Sequence, residues 1–316
     1  MVRFFPMNKQ PRDSKIIEGL VAATFTPFDQ DGGLHLDIIP EIVEHLADCG
    51  LSALFINGTT GEGPSMTENE RQEAAACYTV AAKKKSLTSI IHVGHDSLPV
   101  SANLAAHAAQ IGADCIAAVP PSYFKPSSID GLVDHLAAIA SHAPNTPFFY
   151  YHIPRLSGAA FNMLELLKKS REAIPSLAGI KYSCADLSTF VECTRFDDGK
   201  YNMLFGADEM LLAGLSMGAD GAVGSTYNFL APLYNRIISD FKDNRIDSAQ
   251  KHQAKAAELI RIIIETAGMP GLKAAMTIAG YDCGPHRSPL KTPSPGIMDE
   301  LRNRLDSAEF FCWNKP

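Results

Sequence analysis

From Gly19 onward the chain alternates short, continuously apolar runs with longer amphipathic ones, and it does so eight times. The apolar runs are GLVAATF (19–25), SALFI (52–56), TSIIHV (88–93), CIAAV (115–119), PFFYY (147–151), LAGIKY (177–182), NMLF (202–205) and DGAVG (220–224). Nearly all lack the apolar–polar alternation of a strand with one face in water. They read instead as strands buried on both faces, the condition of a parallel sheet. Between them, stretches such as IIPEIVEHLADCG (38–50), TENERQEAAACYTVAAKKK (67–85) and SANLAAHAAQIG (101–112) carry helical patterns. Gly50, Gly112 and Gly218 stop helices immediately before the next strand. Glycine takes the left-handed conformation that closes a helix without steric cost, so these are helix-end signals. The echo between IGADCIAAV (111–119) and MGADGAVGS (217–225) points to repeats of one unit.

Eight strand–helix units predict an α/β fold of the (β/α)8 TIM barrel type. A doubly wound sheet would require a phosphate-binding GxGxxG after its first strand, and TFTPFDQDGG (24–33) supplies none. The barrel is expected over 19–240, after an N-terminal tail of 1–18. Residues 241–316 add helical runs over 247–266, 271–279 and 296–308. No Gly/Ser linker or charge block separates them, so they are expected to pack on the barrel within a single domain.

Composition narrows the function. With 28 Lys+Arg against 35 Asp+Glu the net charge is −7, which argues against a nucleic-acid partner. Apolar residues make up 46% and charged residues 20%, enough for a sizeable core. No apolar run reaches the roughly 18 residues of a membrane span. The N-terminus MVRFFPMNKQPRDSK has no apolar stretch of the secretory kind. Seven cysteines lie scattered without CxxC spacing, so they read as reduced thiols of a cytoplasmic protein and not as a disulfide frame or zinc site.

In such a barrel the working residues sit at the C-terminal strand ends and the loops that follow. LAGIKY puts Lys181 inside an apolar strand. A buried ammonium is costly, so its pKa falls and the amine becomes a nucleophile. The bland alternative is a lysine whose stem lies on apolar surface with its head in water. Tyr151 and His152 end the fifth strand. A phenol there can move a proton, although aromatic residues at strand ends are more often core. His92 and His95 stand at HxxH spacing, but no third ligand is evident and the spacing suits a helix, so no metal site is expected. In Asn57-Gly58-Thr59-Thr60-Gly61-Glu62-Gly63 the glycines and hydroxyls suit a carboxylate or phosphate cradle, or else an ordinary turn. Gly206, Asp208, Glu209 and Ser225 follow the seventh and eighth strands, where the acids equally suit the first turn of a helix.

Taken together, GTTGEG (58–63), YHIP (151–154), GIKYS (179–183), GADE (206–209) and GSTYN (224–228) resemble the dihydrodipicolinate synthase / N-acetylneuraminate lyase superfamily of pyruvate-dependent lyases. The likeness runs over roughly residues 17–290 and is strongest to the N-acetylneuraminate lyases of animals. It implies a class I aldolase that cleaves N-acetylneuraminate (a sialic acid) to pyruvate and N-acetylmannosamine. Lys181 would form the Schiff base, Tyr151 would shuttle the proton, and Thr59 with Thr60 would hold the substrate carboxylate. Tyr123, in PPSYFKP (120–126), would be donated to a neighbouring subunit and reach Tyr151 through Thr59, within a homo-oligomer expected to be a tetramer. Ser183, Gly206, Asp208, Glu209 and Ser225 would line the sugar pocket. No metal or organic cofactor is implied, because the lysine itself supplies the electron sink.

Three positions depart from the family pattern. Ser122 replaces an aromatic, Ser183 replaces the threonine of bacterial lyases, and Arg155 replaces a common alanine. Leu156 stands where the synthases carry an arginine for a second carboxylate. The rival readings are another pyruvate-dependent aldolase, a non-catalytic sugar-acid binding barrel, and a pyridoxal phosphate barrel. The binding protein would be expected to lack Lys181 or Tyr151. The pyridoxal phosphate enzyme would carry its lysine near the first strand, which here has none.

Overall fold

A computed structural model describes residues 17–315. Of the expected tail, residues 1–16 lie outside the described residues. Eight parallel strands close into a barrel in sequence order: β1 Gly19–Ala23, β2 Ala53–Ile56, β3 Thr88–His92, β4 Cys115–Ala118, β5 Phe148–His152, β6 Leu177–Tyr182, β7 Asn202–Phe205 and β8 Gly221–Gly224, with β8 paired to β1. Each of the apolar runs holds one strand. The helices α1 Ile39–Asp48, α2 Glu68–Lys84, α3 Leu98–Gln110, α4 Ile129–Ala140, the short α5 Pro154–Ser157, α6 Met163–Ala173, α7 Leu187–Arg195, α8 Leu211–Ser216 and α9 Tyr227–Lys242 form the outer layer. Gly50, Gly112 and Gly218 have φ of +77°, +70° and +92°, the left-handed conformation that their position demands.

The unbroken apolar strands have a simple cause. In β2, Ala53 and Phe55 face the barrel interior, while Leu54 and Ile56 face the helices. The period of two is present, but it separates two apolar environments instead of core from water. The interior is a packed plug of side chains that includes Val21, Ile90, Ala117, Phe149, Leu204 and Val223.

One irregularity decides where Lys181 points. Phe148 pairs with Leu177, but Phe149 pairs with Gly179, so Ala178 is an extra residue in β6. Leu177 faces the helices. A regular strand would then turn Gly179 and Lys181 outward as well. The bulge resets the alternation, so that Ile180 and Tyr182 face the helices and Lys181 faces the lumen. Gly179 makes this possible, because a Cβ there would lie 1.9 Å from the Asn202 carbonyl oxygen and 2.9 Å from the Phe149 ring.

Beyond the barrel come α10 Ile246–Ala267, α11 Gly271–Ile278 and α12 Pro295–Ser307, close to the helical runs expected there. Helix α10 packs along α9, α11 and α12, and Leu301, Leu305 and Phe310 join the same apolar layer as the barrel's outer face. No described helix is long and apolar enough to cross a membrane.

Gly179→Ala should therefore destabilise the fold by roughly 1–3 kcal/mol, the usual cost of overpacking a closed core. Urea denaturation measures it, and a wild-type midpoint would show that the backbone has room to move.

Candidate active site

The barrel interior ends, at the C-terminal side of the strands, on one amine. Lys181 is 4% exposed, and its Nζ lies 3.7 Å from the centre of the Phe55 ring and 3.9 Å from that of Tyr151. Tyr151 stands opposite Lys181 in the pairing of β5 with β6, so both side chains point the same way. Burial drives the lysine pKa from 10.5 down to about 7, against the opposing pull of the Asp208 carboxylate. Cation–π attraction to the two rings favours the ammonium, yet desolvation outweighs it. A substantial share of the amine is therefore neutral near pH 7.

Tyr151 is set in the opposite sense. Burial raises its pKa, while hydrogen bonds with the Thr59 and Ser183 side chains act to lower it and the Asp208 charge adds to the rise. The resting group is a neutral phenol with hydroxyl partners on β2's loop and at the end of β6. Phe55 meets Tyr151 edge-on at 5.4 Å, and His92 does so at 6.0 Å and 90°.

Asp208, just past β7, is buried. Burial lifts its pKa to about 6, although the Thr226 hydroxyl and N–H both donate to Oδ2, at 2.6 and 2.9 Å. A Cβ on Gly224 would lie 2.2 Å from Asp208 Oδ1, and one on Gly206 would lie 2.1 Å from Ser183 Oγ. Both glycines keep strand ends open for polar side chains. Thr60 and Ser225 meet across the mouth, Oγ1 to Oγ 2.6 Å.

The threonines ride on a tightly wrapped turn. Asn57 leaves β2 with φ +60°, the Glu62 N–H donates to Thr59 O at 3.1 Å, and the Gly63 N–H donates to Gly58 O at 3.1 Å. A Cβ on Gly63 would fall 2.1 Å from Asn57 O. The Thr26 hydroxyl donates to Gly61 O at 2.6 Å.

The structure thus brings Lys181, Tyr151, Thr59, Ser183 and Asp208 into one neighbourhood and joins Thr60 to Ser225. It leaves Tyr123 and Glu209 apart. Tyr123 is 79% exposed beside Phe124 at 84%, with ring centres 5.0 Å apart. Its loop is held by Asp96, which accepts from the Ser122 N–H at 2.5 Å, the Ser122 hydroxyl at 3.1 Å and the Tyr123 N–H at 3.4 Å. Ser122 thus anchors this loop to Asp96. Glu209 is exposed and lines a hollow of about 410 Å³ with Met210, Leu212, Ser216, Gln250 and Gln253.

His152 faces the helices between Tyr150 and Tyr182 and takes no part in the lumen. His92 and His95 serve separate ends. His95 Nδ1 accepts from the Ser97 N–H at 2.9 Å. His92 is buried beside Asn57 O and the Arg71 guanidinium, and burial, then the charges of Arg71 and Lys181, keep it neutral. Among the described residues no three His, Cys, Asp or Glu side chains come together as a metal site.

Sequence reasoning missed Phe55, Arg71 and the role of His92. The period of two along β2 would have placed Phe55 on the same face as the loop that carries the threonines. Nothing local marks Arg71, a helix residue whose guanidinium donates to His92 O at 2.7 Å and Gly94 O at 3.0 Å.

The profile of the dihydrodipicolinate synthetase family matches residues 16–308. The chain is 41% identical to the N-acetylneuraminate lyase of Gallus gallus over 297 residues, covering 93% of this chain and 96% of that one. It superposes on the N-acetylneuraminate lyase of Proteus mirabilis with a TM-score of 0.90 at 35% identity, covering 94% of this chain and all of that one (100%). A sialic acid aldolase of Ruminococcus gnavus, solved as a catalytic lysine mutant, superposes with a TM-score of 0.89 at 26% identity, covering 96% and 98%.

Competitive acetylation with acetic anhydride followed by peptide mapping should give Lys181 a reactivity midpoint near pH 7, where its pKa lies at about 7. A midpoint near the ordinary lysine value of about 10.4 would contradict the dry environment described above.

Proposed function

The chain belongs to the dihydrodipicolinate synthetase family, and from that premise we propose that it is a class I aldolase that reversibly cleaves N-acetylneuraminate into pyruvate and N-acetylmannosamine. The observation that carries this reading is the Lys181 amine, buried between Phe55 and Tyr151 with a pKa of about 7. Leu156, in place of a second carboxylate-binding arginine, favours a sugar acid over the synthase reaction.

The open-chain form of the substrate presents a ketone at C2. Neutral Lys181 adds to it and gives a carbinolamine. Tyr151, a phenol at rest, donates its proton to the departing hydroxyl, so water leaves and a protonated imine remains beside a phenolate. The phenolate then takes the proton of the C4 hydroxyl. The C3–C4 bond breaks, its electron pair passes into the imine to form a neutral enamine, and N-acetylmannosamine leaves as the aldehyde. Tyr151, protonated again, returns its proton to C3. Water adds to the new imine, the phenolate accepts the water's proton, and collapse of the carbinolamine frees pyruvate and the amine. Each proton that Tyr151 gives is recovered within the cycle; its raised pKa keeps it a phenol at rest and makes its phenolate the stronger base. The lysine serves as electron sink, and the reaction as proposed calls for no cofactor.

In the same reading Thr59 and Thr60 fix the carboxylate so that the breaking bond aligns with the imine π system. Ser183, Gly206, Asp208, Glu209 and Ser225 line the sugar side; the exposed setting of Glu209 suits only the far end of the polyol chain. The exposed Tyr123, on its Asp96-anchored loop, is proposed to enter the site of a neighbouring subunit in a homotetramer. A cytoplasmic location completes the reading, supported by cysteines held as thiols, such as Cys49 and Cys193.

Incubation with N-acetylneuraminate should release pyruvate and N-acetylmannosamine in equal amounts. Lys181→Ala should release none while keeping the wild-type circular dichroism spectrum, and Tyr151→Phe should lose about 10²- to 10⁴-fold in turnover. A Lys181→Ala enzyme that still cleaves the sugar acid would overturn the proposal.

A further inference from the structure

The turn that carries Thr59 and Thr60 is fastened from below by a buried carboxylate. Glu62 sits in that turn with φ +54° and is almost wholly inaccessible. Its Oε1 accepts from Lys273 Nζ at 3.0 Å and lies 3.0 Å from His286 Nδ1, and its Oε2 accepts from the Arg287 N–H at 3.0 Å. Lys273 belongs to α11, and its ammonium also donates to Pro285 O at 2.9 Å. Burial opposes the Glu62 charge, yet the bond from His286, the Lys273 charge and the Arg287 N–H hold its carboxyl below the usual carboxylate range.

The donors are themselves fixed. The Arg287 guanidinium binds both oxygens of Glu70, in the first turn of α2, at 2.6 and 2.8 Å, and donates to Gly32 O and to Ser65 O. Arg287 and Lys273 both lie over the Phe28 ring, at 4.3 and 4.4 Å. A buried ion pair of this kind adds little to stability compared with apolar residues of the same volume. What such a cluster supplies is geometry, because each partner fixes the next.

We propose that Glu62 is a positioning residue for carboxylate recognition: its buried contacts to Lys273, His286 and Arg287 hold the Thr59–Thr60 turn in the shape that receives the carboxylate of a 2-oxo acid. Helix α11 and the loop that follows it thereby take part in substrate binding without touching substrate. The inference rests on the reading of Thr59 and Thr60 as the carboxylate cradle.

The test compares two ketones that share the reacting carbonyl, pyruvate and acetone, of which only pyruvate has a carboxylate. Each is titrated against the full-length protein with cyanoborohydride, and the adduct on the protein is followed by mass. Glu62→Gln should raise the half-saturating pyruvate concentration about 10- to 100-fold, the scale of a site displaced by about 1 Å, and leave that for acetone unchanged. His286→Ala, which leaves the Glu62–Lys273 pair in place, should shift pyruvate alone and by less; it decides the matter if Glu62→Gln does not fold. An equal rise for both ketones would mean a general structural role, and no rise for either would mean no role; each overturns the proposal. Failure of the wild type to trap any pyruvate would instead overturn the assignment of the site beneath it.

Discussion

Lys181 holds an amine almost wholly withdrawn from solvent, and most of the molecule is arranged around that fact. The fall of its pKa from 10.5 to about 7 amounts to about 5 kcal/mol in favour of the neutral form, at roughly 1.4 kcal/mol per tenfold. The Phe55 and Tyr151 rings and the Asp208 carboxylate all pull the other way, and burial still prevails. A closed barrel supplies that burial more securely than an open sheet, since its interior has no edge through which water enters. The price is a lumen that must be filled elsewhere by packed side chains, and the plug of Val21, Ile90, Ala117, Phe149 and Leu204 fills it.

Two devices turn this environment into a site. The bulge at Ala178 points Lys181 inward, and Gly179 admits the bulge where any side chain would strike the Asn202 carbonyl. The wrapped turn after β2 then sets Thr59 beside Tyr151 and Thr60 beside Ser225. Burial shifts the amine toward its neutral, nucleophilic form and keeps the phenol protonated at rest. One environment therefore prepares both partners of the chemistry, and the Asp208 charge opposes the shift at the amine and adds to it at the phenol.

The barrel was legible in the sequence because burial on both strand faces leaves unbroken apolar runs, and because Gly50, Gly112 and Gly218 mark helix ends that only left-handed backbone can make. Lys181 and Tyr151 were legible as residue types at strand ends. Their juxtaposition was not, since a period-of-two reading from Leu177 turns the lysine outward and only the bulge reverses it. Gly179 hints at such a bulge without fixing its register. The partners of Glu62 were beyond local reading altogether: Lys273 lies 211 residues away, on a helix whose own pattern gives no reason to face the barrel. His92 shows a different limit. Its spacing from His95 predicts no metal pair, but nothing in the sequence shows that the fold uses it as a neutral ring against Tyr151.

The proposed reaction stands on covalent chemistry at one amine. Borohydride reduction of the protein during turnover of N-acetylneuraminate, followed by peptide sequencing by mass spectrometry, tests this most directly. A single pyruvate-sized group on Lys181 is the predicted result. Modification of another lysine, such as Lys273, or of none, would contradict it.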